Sequence, residues 1–157
     1  MASIAVSACL LGEPCRFDGQ AKPCEAVKAL GNEHRLVPVC PEVLGGLPVP
    51  RPPSEVQTGA PAWRVTNARG EDVTEAYEAG ARETCRRARE AGCVGAVLKA
   101  KSPACGCGRI YDGTFTGRLT DGWGVAAAAL RDAGLTVVDE YHMEELRSRL
   151  GDRSSEE

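Results

Sequence analysis

A single-domain, Rossmann-like α/β fold with a mostly parallel sheet flanked by helices is predicted by three observations along this chain. Four short apolar runs, at residues 4–8, 35–39, 94–99 and 135–139, are spaced by helical patterns. The longest of those patterns, 72–91, carries one apolar stripe. No internal repeat or low-complexity segment divides the 157 residues, a length that favours one domain. Strands that alternate with helices join through crossovers, pair in parallel and have both sheet faces covered. The domain is read as 1–150, with 151–157 (GDRSSEE) a polar, frayed C-terminal tail.

Each element has its own signal. Residues 4–8 (IAVSA) form an apolar run that ends at Cys9 and a turn-rich loop, LLGEPCRFDG. Pro23 opens a short helix with Ala26, Val27 and Leu30 on one side, and Gly31 and Asn32 stop it. Residues 35–39 (RLVPV) read as a second buried strand ending at Cys40. The stretch 41–63 holds six of the ten prolines, so a long irregular loop without regular helix is expected there. Residues 62–67 (AWRVTN) read as a brief edge strand. In the helix 72–91, Val73, Tyr77, Ala81, Cys85 and Ala88 recur at three- and four-residue steps, with Thr74 as N-cap and Gly92 as stop. Residues 94–99 (VGAVLK) form the third strand, followed by the loop AKSPACGCGRIYDG. An Ala-rich helix at 125–132, a fourth strand at 135–139 and a short helix at 143–150 complete the chain.

Composition narrows the function classes. Hydrophobic residues at 43% and charged residues at 26% exclude a disordered or fibrous chain. The net charge of −3 and the small number of aromatic residues argue against a nucleic-acid binder. No run approaches 18 apolar residues, and residues 1–11 lack a basic n-region, so neither a membrane partner nor a secretory signal is expected and the predicted location is cytoplasmic. Eight cysteines amount to about 5% of the chain, below the density of a disulfide scaffold. In a reducing compartment they read as metal ligands, catalytic thiols or core filler.

Their positions sort them. Cys9 and Cys40 follow the first two strands directly, and Cys105 lies in the loop after the third. Those loops leave a parallel sheet at one edge, where open α/β folds bind ligands. Cys85 and Cys93 read as packing residues, while Cys15, Cys24 and Cys107 stay undecided. There is no Cys-x-x-Cys, which disfavours a zinc ribbon, and His34 and His142 form no spaced pair. Thiolates select zinc, copper(I) or an iron–sulfur cluster, and three of them on a cubane leave one iron open. A closed site with Cys15 or Cys107 as fourth ligand is the alternative. Glu42 and Ser102 flank the ligands: the carboxylate suits acid/base work or pairing with an arginine, and the hydroxyl suits substrate contact or a turn hydrogen bond. Asp18 and Asp112 read as turn residues, and Lys99 and Lys101 as positive charge near an anion or as solvated loop lysines.

Three stretches, SACLLGEPCRFDG at 7–19, VCPEVLGGLPVPRPP at 39–53 and KSPACGCGRIYDGTFTG at 101–117, together resemble the thiouracil desulfidase (TudS) family, over nearly the whole chain. The resemblance implies a 4Fe–4S cluster held by Cys9, Cys40 and Cys105, with one open iron that takes the sulfur of a thiolated pyrimidine such as 2-thiouracil. It implies acid/base roles for Glu42 and Ser102, a small thiolated nucleobase as the partner, and uracil and hydrogen sulfide as products. Phe17 stands where the family pattern expects tyrosine, and the resemblance requires neither Cys15 nor Cys107 as a ligand. The competing readings are a metal-free sulfurtransferase that carries a persulfide on Cys105 or Cys107, and a non-catalytic metal-binding or redox protein.

Overall fold

A computed structural model describes residues 1–58 and 63–156. Four parallel strands, β1 (Ser3–Ser7), β2 (Arg35–Val39), β5 (Cys93–Leu98) and β8 (Thr136–Asp139), form the central sheet in the order β2-β1-β5-β8. Between β2 and β5 the chain adds the short helix α2 (Pro41–Leu44), the antiparallel hairpin β3 (Ser54–Gln57) and β4 (Arg64–Asn67), and the long helix α3 (Thr74–Glu90). Between β5 and β8 it adds a second hairpin, β6 (Arg109–Tyr111) with β7 (Leu119–Asp121), and the helix α4 (Val125–Asp132). Helix α1 (Glu25–Ala29) joins β1 to β2, and α5 (Met143–Glu156) closes the chain.

The pleat explains the layering, because alternate strand residues serve opposite faces. Ile4 and Val6 of β1, with Val97 and Val138, pack on Val27 of α1 and Leu146 of α5. Ala5, Ala96 and Leu98 face the other way, onto Tyr77 and Ala88 of α3 and Leu130 of α4. The result is the three-layer α/β/α arrangement expected of the sequence, and the expected stripe of α3 is the one buried.

Several local expectations change. The strand 35–39 was expected to be buried, yet β2 is a half-exposed edge strand, which is where Pro38, with no N–H to give the ladder, can sit. A helix does occur in the Pro-rich stretch: Pro41 occupies the first helical position, where its missing N–H would have had no partner. A strand, β3, follows directly after Pro53. Thr74 is the first residue of α3 and not its cap; Asp72 Oδ1 accepts the Thr74 N–H at 2.9 Å, and the Thr74 hydroxyl reaches back to β4. Helix α5 runs through Glu156, past the expected end at Leu150. Residue 62 of the expected edge strand, and Pro61, lie outside the described residues.

Candidate metal centre and active-site cavity

The C-terminal ends of β1, β2 and β5 open into one cavity of about 570 Å³, whose wall includes Cys9, Cys40 and Cys105. Each is placed by its backbone. Cys9 sits in a single turn of tight helix after β1 (Ala8–Leu11), and its carbonyl accepts the Lys22 N–H at 2.9 Å. Cys40 occupies the N-cap of α2. Cys105 is buried in the loop between β5 and β6. That loop is held from below by the first turn of α4: Val125, Ala126 and Ala127 donate their otherwise orphaned N–H groups to the carbonyls of Pro103 and Ala104.

Ser102 and Glu42 line the same cavity. Ser102 Oγ accepts the Ala104 and Cys105 N–H groups, each at 3.1 Å. It therefore shapes the turn that carries Cys105, and its own O–H is still a donor. Glu42 is carried by α2, which presses on α3 through two glycines; a Cβ on Gly45 would overlap the Ala76 carbonyl, and one on Gly80 the Pro41 carbonyl. This close approach brings Glu42 Oε2 to the Tyr77 hydroxyl (2.8 Å) and to Arg51 Nε (3.0 Å). Desolvation first, and the neighbouring Glu42 charge second, hold the Tyr77 hydroxyl well above its usual range, so it stays a donor. Glu42 Oε1 makes no hydrogen bond among the described residues.

Arg51 ties this corner together. Its guanidinium also donates to the Pro48 carbonyl (3.1 Å) and the Cys15 carbonyl (2.9 Å). That fixes the first loop against the Pro-rich one, and the Arg51 N–H adds a bond to the Phe17 carbonyl. Arg51, Glu55 and Glu42 are the charged residues of the stretch 41–63, and all three reach the cavity. Sequence reasoning passed over Arg51 and Glu55; charge among prolines in a long irregular stretch was the signal that marked them. Ser7 was missed as well. Its Oγ accepts the Lys99 N–H at 2.9 Å, and its hydroxyl bonds the Cys105 thiol.

The remaining candidates separate. Cys15 lines the cavity, and its thiol is within hydrogen-bonding contact of those of Cys40 and Cys9. The contact with Cys40 lowers its pKa, but Cys9 and burial outweigh it and push the thiol up to about 11. Cys40 is shifted upward by Cys15 and by burial, and Cys105 by burial above all. Cys107 does not line the cavity; its thiol donates to the Cys105 carbonyl, and burial pushes it up to about 12. Cys85 and Cys93 pack against the core, and Cys24 precedes α1 as its N-cap. Lys99 lies in the cavity wall, paired with Glu140 at 3.2 Å, whereas Lys101 is exposed outside it. Asp18 and Asp112 accept turn N–H groups from Gln20 and Thr114, His34 accepts the Ala2 N–H, and His142 pairs with Asp139.

Across the described residues no three His, Cys, Asp or Glu side chains close at the spacing of a single ion. The cavity wall instead carries four soft thiols, those of Cys9, Cys15, Cys40 and Cys105, a donor set that fits a multi-iron cluster better than mononuclear zinc. The 2-thiouracil desulfurase family model matches residues 4–142. The chain belongs to that family. It is 40% identical over 149 residues to an uncharacterised protein, YbbK, of Bacillus subtilis (strain 168), covering 91% of this chain and 99% of YbbK. A solved structure titled [4Fe-4S]-dependent thiouracil desulfidase TudS superposes with a TM-score of 0.88 at 44% identity, covering 96% of this chain and 99% of that one. Family and fold agree with the resemblance read from the three motifs. No helix among the described residues is long and apolar enough to cross a membrane.

Proposed function

We propose that this chain is a cytoplasmic 4Fe–4S-dependent desulfidase that converts a small thiolated pyrimidine such as 2-thiouracil, with water, into uracil and hydrogen sulfide. The observation that carries the reading is the convergence of Cys9, Cys40, Cys105, Glu42 and Ser102 on one cavity, in a member of the 2-thiouracil desulfurase family. Cys9, Cys40 and Cys105 would hold the cluster. With only three cysteine ligands, such a cluster would supply a Lewis acid for the thiocarbonyl sulfur.

The chain's own groups handle the proton and the water. Glu42 presents Oε1 as the base for water attacking the ring carbon, while Tyr77 and Arg51 fix Oε2. The remaining O–H of Ser102 orients the water or the ring. Oxygen from water replaces sulfur, both water protons leave with the sulfide, one of them by way of Glu42, and no external electrons are needed. The persulfide alternative asks for an exposed, acidified thiol, and burial pushes Cys105 and Cys107 the other way. Cys15 supports one second reading, a closed four-cysteine site, because it touches Cys9 and Cys40.

Anaerobic reconstitution with iron and sulfide tests both. Cys9→Ala, Cys40→Ala and Cys105→Ala should each lose the broad visible absorption of the cluster, and Cys15→Ala and Cys107→Ala should keep it. Wild-type iron binding in the first three would overturn the ligand set. Loss in Cys15→Ala would replace the open iron by a closed site.

A further inference from the structure

The cavity holds a second carboxylate for which the chemistry above has no use. Glu55, on β3, is 8% exposed and faces the cavity without a cationic partner among the described residues. Its Oε1 accepts two backbone N–H groups, from Gly113 at 2.9 Å and Phe115 at 3.1 Å. Its Oε2 makes no hydrogen bond among the described residues. A carboxylate in an enclosed site is an acceptor only, so its open oxygen calls for an N–H or O–H donor from whatever enters.

The same bonds set an aromatic edge to the site. Phe115 is held at φ +57°, a left-handed conformation that a side-chain-bearing residue rarely takes, and the Glu55 bond to its N–H helps to hold it there. Gln57, two residues along the same strand face, donates to the Gly113 carbonyl at 2.7 Å. Phe115 and, from the first loop, Phe17 are half-exposed and line the cavity. An open acceptor in a cavity that two aromatic rings also line matches a flat heterocycle that carries a ring N–H.

We propose that Glu55, Phe17 and Phe115 form a recognition subsite in which the open Glu55 oxygen accepts a ring N–H, so that the chain selects thiolated bases that keep that N–H. The inference rests on the desulfidase reading for the ring it names, but its geometry does not depend on the cluster. Glu55→Gln is a sharp perturbation. The Gly113 and Phe115 N–H groups need an acceptor, so they fix the amide with its oxygen toward the loop and its NH₂ toward the substrate. A donor then meets a donor where an acceptor was.

The test compares cluster-loaded wild type and Glu55→Gln on 2-thiouracil and its 1-methyl and 3-methyl derivatives. Wild type should lose roughly 10- to 100-fold in kcat/KM on one methyl compound, as expected for one charge-assisted hydrogen bond. Glu55→Gln should lose a similar factor on 2-thiouracil, mostly in KM, and should discriminate between that methyl compound and 2-thiouracil by less than about threefold. Wild-type KM and discrimination in Glu55→Gln would overturn the subsite while leaving the desulfidase reading intact. If wild type itself releases no sulfide, the desulfidase reading fails alone; equilibrium dialysis of 2-thiouracil then reads the subsite, with the same loss expected in the variant and equal affinity overturning it. If Glu55→Gln fails to fold, Phe115→Gly decides: it relieves the left-handed strain yet should weaken 2-thiouracil binding about tenfold, and unchanged binding overturns the subsite.

Discussion

Replacing Glu42 by glutamine separates its chemistry from its structural bonds. Both donors to Glu42, the Tyr77 hydroxyl and Arg51 Nε, meet the same oxygen. In Glu42→Gln those donors select the amide oxygen for that position and leave NH₂ where Oε1 was, so the base is lost and the two bonds persist. The Tyr77 bond falls from charge-assisted to neutral and the Arg51 bond from an ion pair to one charged on the donor side only, about 1 kcal/mol apiece, for a total of about 2 kcal/mol. In a domain of this size that lowers Tm by roughly 4–8 °C. Glu42→Ala is harsher: the ion pair is 4% exposed on the arginine side and 16% on the glutamate side, and stripping one partner from such a pair costs about 3–5 kcal/mol. General-base loss costs about 10²- to 10⁴-fold in rate, equivalent to roughly 3–5 kcal/mol of barrier. Anaerobic sulfide release by cluster-loaded Glu42→Gln should therefore fall by that factor in kcat, with KM and iron content near wild type. Turnover within threefold of wild type would refute the acid/base role.

Arg51→Lys cannot reproduce the three-way fork to Glu42, Pro48 and Cys15; losing two charge-assisted bonds should cost about 3 kcal/mol in urea unfolding and lower turnover as well. Gly80→Ala forces α2 away from α3, and should cost about 3 kcal/mol and displace Glu42, seen as reduced kcat in whatever protein folds. Asp72→Ala should lower Tm at neutral pH by uncapping α3. The bonds from the Thr74 hydroxyl and backbone hold the Asp72 carboxyl below its ordinary value of 3.8, so its stabilisation is present above that value and disappears as pH falls below it. The Tm gap between wild type and Asp72→Ala should accordingly close in acid.

Long periodic signals in this sequence translated directly into structure. The α3 stripe buried Tyr77, Ala81 and Ala88, and the four apolar runs became the four parallel strands in one sheet. The strand β4 was read as the edge strand 62–67, but β3, β6 and β7 escaped notice because three- or four-residue strands bounded by glycine and proline offer too little periodicity to read. Counting prolines concealed α2, since what matters is where in the helix a proline falls. The convergence of Cys9, Cys40 and Cys105 on one cavity was legible because strand ends in a parallel sheet share an edge. The Arg51–Glu42–Tyr77 corner was not, because it joins three segments through a glycine-to-glycine helix contact that no local pattern encodes. Tyr77 shows the difference within one residue: its ring followed from the helical stripe, its hydroxyl from tertiary packing alone.

The most direct test of the central claim is the product balance of the purified protein, reconstituted anaerobically and given 2-thiouracil. The account predicts uracil and hydrogen sulfide in equal amounts, over many turnovers, without added reductant and only in the iron-loaded protein. Equal rates from the iron-free protein, or a requirement for an electron donor, would contradict it.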